Sequence, residues 1–227
     1  MDIKKRLSAL DSIYNIYDEF ASGLDLACRK TCAHCCTSHV TLTTLEGYKI
    51  SNHLTLALKA DLLNRIQTGQ DAYRFRPKMT TNQLAEQCAR GINPPDEPET
   101  TPGRACPLLT DRLCSIYELR PFGCRCLVSR FNCGQKGYAE IEDFVLSMNT
   151  VFLQTIEHLD VKGCSGNLTD IMEVLLIDDN RAVYDNGSFD CKITGLISNR
   201  PLTALMIPSE HRARMKPILK SLRQIQA

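Results

Sequence analysis

Four cysteines fall within nine residues, "CRKTCAHCC" at 28–36, and five more follow at Cys106, Cys114, Cys124, Cys126 and Cys133. A chain with thiols at this density must crosslink them, place them on a metal or cluster, or use them as redox pairs. Twelve cysteines in 227 residues, with no tryptophan, make the excess specific to sulfur.

Compartment bears on that choice. The opening "MDIKKRLSALDSIYNIYDEF" breaks its apolar positions with charges, and no small-residue cleavage site follows, so no secretory signal is expected. No stretch approaches the roughly 18 consecutive apolar residues of a membrane span. The expected setting is cytoplasmic, where dense cysteine patterns read as metal-binding or catalytic and disulfides are the lesser alternative. The 27 basic residues balance 26 acidic ones, a net charge of +1 that argues against a nucleic-acid or membrane-surface binder. The expected partners are an unknown protein or redox partner, with no nucleic acid and no membrane.

The patterning predicts a mostly α fold: a single helical domain over 1–227 with irregular cysteine-rich loops around a metal or cluster site. The metal-binding region covers about 28–133 and a helical part about 138–227. Apolar residues from Ile3 to Leu24 recur at spacings of three and four, as on one helical face. Thr43-x-x-Glu46 has the form of a capping box, from which one helix is expected to about Arg65. A short helix is expected over 81–90, ended by Gly91, and an exposed loop over 92–103, "INPPDEPETTPG". Ile141 to Leu159 repeat with a 3.6-residue period, with Gly163 closing the pattern. A shorter helix over 167–177 has Asn167 or Thr169 as its cap. Residues 180–207 read as irregular with a short hairpin, and Asp178-Asp179 as a solvated helix end. The tail from Met215 to Ile225 reads as a helix weakened by Pro217.

The groups Cys28-x3-Cys32-x2-Cys35-Cys36 and Cys106-x7-Cys114-x9-Cys124-x-Cys126 suit soft or borderline metals, so zinc and iron–sulfur clusters are the candidates. Adjacent cysteines tend to point apart, so one of Cys35 and Cys36 is expected to serve a second atom or a packing role. Cys32-Ala33-His34-Cys35 lacks the strand-then-helix setting of a thioredoxin motif, and the residue after it is not the histidine of a haem attachment site. Cys88, Cys164 and Cys191 lie alone and read as small buried hydrophobes. Around the second group Arg104, Arg112, Arg120, Arg125 and Arg130 outnumber Asp111 and Glu118. Arg120 and Arg125 are therefore expected to donate to sulfur and balance an anionic centre, the alternative being a solvated basic face.

The first cysteine group, followed by "CPLL…CSIYELRPFGCR", resembles the YkgJ-like family of zinc- or iron-chelating cysteine-cluster domains, a pattern shared by flagellin lysine-N-methylases. The resemblance covers about residues 28–126. It implies Cys28, Cys32, Cys35, Cys36, Cys106, Cys114 and Cys124 as ligands and, through the methylases, a [4Fe–4S] cluster. The chain departs from it at Ala33-His34, where members often have glycine, and at Cys126-Leu127-Val128, which adds a thiol.

Three readings of function stand at this point. The first is a metal- or iron–sulfur-binding protein with a redox or accessory role; the second is a structural zinc protein that serves as an interaction scaffold. The third is an S-adenosylmethionine-dependent protein lysine methylase, for which no glycine-rich cofactor loop follows a strand. Adding Cys126 to the seven gives eight thiols, enough for two closed zinc sites, whereas one [4Fe–4S] cluster would leave thiols over.

Overall fold

The computed structural model describes residues 2–69, 73–96, 103–192 and 195–226. Helix α1 (Ile3–Ser22) begins at the Asp2 cap and leads into an irregular segment that carries the first cysteine group. Strand β1 (Thr41–Thr43), helix α2 (Thr44–His53), helix α3 (Leu56–Thr68) and helix α4 (Thr81–Ala89) follow. The second cysteine group spans the hairpin β2 (Leu109–Thr110) and β3 (Leu113–Cys114), a 3₁₀ turn at Tyr117–Leu119 and the short helix α5 (Phe122–Arg125). After α6 (Cys133–Lys136) comes the long helix α7 (Asp143–Leu159), then β4 (Cys164–Asn167), α8 (Leu168–Leu175), α9 (Asp178–Asp185), β5 (Leu196–Ser198) and α10 (Arg212–Gln226). The fold is mostly α, as the patterning predicts, and 53% of it is helical.

Several expectations hold at the level of single residues. Thr43 and Glu46 form the capping box, Asn167 caps α8, and Gly91 adopts a left-handed φ of 70° just after α4. The single helix expected from Thr43 to Arg65 is instead two. Leu54 is extended, and the Thr55 hydroxyl accepts the N–H of Leu58 (3.3 Å), so the chain restarts a helix there. Part of the region read as irregular, 180–207, is helix α9. Asp178 and Asp179 stand in its first turn, where the helix dipole favours acids, and Asp178 pairs with Arg181. Of the loop expected over 92–103, residues 92–96 are exposed and irregular, and 97–102 lie outside the described residues.

A small antiparallel sheet, in the order β1–β4–β5, was not expected from the sequence; its strands are three or four residues long. The core lies where α1, α5 and α7 meet. Tyr17 packs edge-on against Phe122 and Phe152 (centroids 4.7 and 5.2 Å), while those two phenylalanines stack at 5.6 Å. All three are essentially without solvent contact, and burying aromatic rings of this size is worth roughly 1.5–3 kcal/mol each.

Asp160, at the end of α7, ties the elements around this core together. Its carboxylate accepts from the Thr44 hydroxyl (2.6 Å), the Leu45 N–H (2.9 Å), Arg6 (3.2 Å), the Asn199 amide (3.3 Å) and the Tyr184 hydroxyl. Burial raises its pKa to about 6, although those donors oppose the shift. Gly163 is needed there because a Cβ would collide with the Thr44 hydroxyl and the Asp160 carboxylate.

Cys164 and Cys191 correct the reading of lone cysteines. They form a disulfide with Cα atoms 5.9 Å apart, joining β4 to the segment after α9. Cys164 is buried as expected, but as half of a bridge; Cys88, expected to be buried, is exposed on α4. No helix among the described residues is long and apolar enough to cross a membrane.

Candidate metal or cluster site

The two cysteine groups meet through their backbones. The Ser38 N–H donates to the Arg104 carbonyl (2.8 Å) and the Cys106 N–H to the Cys36 carbonyl (3.0 Å), and Thr37 and Ala105 form an antiparallel bridge between them. A further bond, from the Ala27 N–H to the Ser129 carbonyl (2.9 Å), lays the start of the first group beside the end of the second.

Local structure sets each thiol. In the β2–β3 hairpin, Leu109 pairs with Cys114 across the two-residue turn Asp111–Arg112, whose φ angles are 50° and 62°. That is the turn sense that matches strand twist, but it costs an arginine roughly 1–2 kcal/mol. The polar turn expected at Thr110-Asp111-Arg112 is thus the hairpin tip. Pro121 precedes α5 as its cap, and Gly123 lets that helix lie against β1, since a Cβ would meet the Thr41 carbonyl. This contact fixes Cys124.

Cys28, Cys32, Cys35 and Cys36 from the first group and Cys114 and Cys124 from the second line one cavity of about 70 Å³. That volume corresponds to roughly five water-sized spheres. Cys106 and Cys126 lie just behind it. The Cys106 charge would be felt by Cys36 and Cys124, and that of Cys126 by Cys124. All eight thiols picked out in the sequence are therefore in one neighbourhood. Cys35 and Cys36 both line the cavity, with their thiols against each other.

Burial is the main electrostatic influence. It pushes Cys106 up to about 11 and Cys126 up to about 12, and it raises Cys28 and Cys114. Cys124 is driven higher still by burial and by the neighbouring Cys106 and Cys114. The bond between Cys35 and Cys36 raises the former and lowers the latter. Thiols held protonated in this way become thiolates when a cation displaces their protons.

The two arginines expected to serve the site separate. Arg120 lines the cavity, its guanidinium 4.1 Å from the Tyr117 ring centroid, and its Nε is buried without a hydrogen-bond partner. Arg125 points elsewhere. It donates to Asp18 on α1 (2.6 Å) and to the carbonyls of Glu118 (2.7 Å) and Arg120 (3.0 Å), and it covers the Tyr14 ring. It braces α5 against α1 instead of reaching sulfur.

Cys133, which spacing alone did not place among the ligands, lines a second cavity of about 190 Å³ with His34 and with Cys28 and Cys32, which belong to both. Its only sequence signal was its position seven residues after Cys126. Among the described residues, no three His, Cys, Asp or Glu side chains converge on one point as a single ion requires. The thiols instead ring a space. The chain matches no family model, no curated protein and no solved structure.

Proposed function

We propose that this protein binds a metal centre through thiolates, and that the centre is an iron–sulfur cluster serving a redox or accessory role. The observation that carries the reading is the cavity lined by six cysteines from segments some 80 residues apart, beside an arginine Nε with no partner. The donor set fits the group. In a [4Fe–4S] cluster each thiolate binds a different iron, so a ring of sulfurs suits it better than four sulfurs aimed at one point. The Arg120 guanidinium would donate to cluster sulfur and offset its charge. When bound, such a centre supplies one-electron transfer or a Lewis-acidic iron. The chain's part is to hold the thiols, shield Cys106, Cys124 and Cys126 from solvent, and present the exposed edge at Cys35.

Structural zinc is the second reading, and the donor types of the neighbouring cavity favour it: Cys28, Cys32, Cys133 and His34 line it with the sulfur and nitrogen that zinc accepts, and would have to draw together around the ion. The likeness to the YkgJ-like family supports either metal through its cysteine motif alone. The experiment is iron, sulfide and zinc analysis of anaerobically purified protein, together with its visible absorption spectrum. Near-stoichiometric iron and sulfide with a charge-transfer band are expected. Zinc alone would select the second reading, and neither metal would overturn both.

A further inference from the structure

A third cavity, of about 280 Å³, is lined by Ser38, Ala105 and Pro107 beside the backbone bridge that joins the cysteine groups. Three arginines reach it: Arg65 from α3, Arg74, and Arg104 beside the second cysteine group. Thr169, at the start of α8, and Ser38 complete the polar part of its wall.

The state of these donors points to an anion. The Arg104 guanidinium makes no hydrogen bond or ion pair among the described residues, although it lies near Gly69 at the end of α3. The Thr169 hydroxyl makes no hydrogen bond among the described residues, while its backbone N–H donates to the side chain of the Asn167 cap (2.9 Å). The other two cations are engaged. Arg65 shares its guanidinium with Asp61 (2.8 Å) and the Thr110 hydroxyl (3.1 Å), and Arg74 is paired with Asp170 (2.6 Å). Arg74 and Arg76 outweigh the effect of burial and hold the Asp170 carboxyl below its ordinary range. Among the described residues, the uncommitted charge lining the cavity is the Arg104 guanidinium. The eight-residue helix α8 adds the positive end of its dipole at Thr169.

We propose that this cavity binds a phosphate group, with Arg104 and Thr169 as its dedicated donors and Arg65 and Arg74 supplying the surrounding field. Guanidinium forks match phosphate oxygens in pairs, which a carboxylate-lined or apolar wall would not do. The volume lies at the lower limit of ordinary ligand sites, so the ligand is inorganic phosphate or the terminal phosphate of a small metabolite, not a nucleic-acid backbone. This site is separate from the thiol cavity and does not depend on the metal reading.

Isothermal titration calorimetry of the full chain, in its as-purified metal state, tests the proposal with two probes, inorganic phosphate and glycerol 3-phosphate. Saturable binding of either is expected, weakening as potassium chloride is raised. Phosphate alone would identify the free ion as ligand; tighter binding of glycerol 3-phosphate would identify a phosphorylated metabolite. Arg104→Gln and Thr169→Val should each weaken binding about tenfold or more, Arg104→Lys should recover part of the loss, and Thr169→Ser most of it. Arg90→Gln, at an exposed position just after α4, should bind as the parent does. No heat with either probe, equal heat from potassium chloride at matched ionic strength, or parent-like binding in both loss variants would overturn the proposal. The conservative variants keep the test readable if Thr169→Val folds poorly.

Discussion

Oε1 of Glu46 accepts the backbone N–H of Phe122 at 2.6 Å. The same oxygen accepts the Tyr14 hydroxyl (2.7 Å), while Oε2 closes the capping box on the Thr43 N–H (2.8 Å). One buried carboxylate thus finishes α2, anchors α1 and fixes the first residue of α5, two positions before Cys124. Helix capping and site geometry are here a single interaction.

Glu46→Gln should therefore affect both. Its amide would turn an N–H towards groups that are themselves donors, a loss of roughly 1–3 kcal/mol for a buried unsatisfied group. A lower thermal midpoint is expected together with reduced metal retention at the same protein concentration. Loss of stability with full metal content would show that α5 does not depend on this anchor.

Cys32→Ser and Cys124→Ser, one from each segment, should each abolish retention of the metal. Cys88→Ser should not, because that thiol is exposed on α4 away from the cavity. Metal analysis of the three variants decides. Full retention in either of the first two would mean that the segments do not share a centre.

The two arginines should separate by readout. Arg120→Gln removes a donor that faces the thiols and should weaken metal affinity roughly 10- to 100-fold with little change in fold. Arg125→Gln removes a buried guanidinium that pairs with half-exposed Asp18 and holds two backbone carbonyls, and should lower the melting temperature first. Chelator competition, or the rate of cluster bleaching in air, measured beside thermal melts, distinguishes them. If Arg120→Gln behaves as the parent in the metal assay, that residue does not serve the centre.

Asp160 gives the pH dependence a sign. Its folded pKa of about 6 lies above the ordinary carboxyl value of 3.8, so the folded state holds the proton more tightly than the unfolded chain. Its contribution favours folding at low pH and is lost as pH rises from about 4 to about 6, a change of about 3 kcal/mol. Glu157, also raised by burial, acts in the same direction. Asp160→Asn should be less stable than the parent throughout, and the gap should narrow as pH rises through that window. Denaturant midpoints at pH 4, 5, 6 and 7 test this, and a gap independent of pH would refute it.

The Cys164–Cys191 bridge closes a loop with a sequence separation of 27. On loop-entropy grounds it should stabilise the fold by roughly 3–4 kcal/mol. Cys164→Ser with Cys191→Ser should melt clearly lower than the parent, with metal content unchanged because neither residue lines the thiol cavity. An unchanged midpoint would argue that the bridge contributes nothing.

What was legible in the sequence follows the range of the interactions. The capping box at Thr43–Glu46 and the Asn167 cap are local, and both were readable. The periodic face of α7 was readable because seventeen residues repeat one pattern. The break at Thr55 competes with an equally good continuous helix, and only tertiary packing decides between them. Strands of three residues carry too little alternation to register, so the β1–β4–β5 sheet was invisible. The thiols could be grouped because their spacing is short, but the direction of Arg125 depends on Asp18, 107 positions away. Cys133 and the bridge between Cys164 and Cys191 were missed for the same reason, since proximity in space left no spacing signature.

The Cys36–Cys106 pairing is made entirely by main-chain groups. Peptide hydrogen bonds are indifferent to the side chains that hang from them, so this frame does not record which ligands it displays. A lineage could exchange one thiol for histidine or aspartate, or drop a ligand altogether, while the two segments stayed in register. Such a chain can change its chemistry by single substitutions without first having to reinvent its architecture.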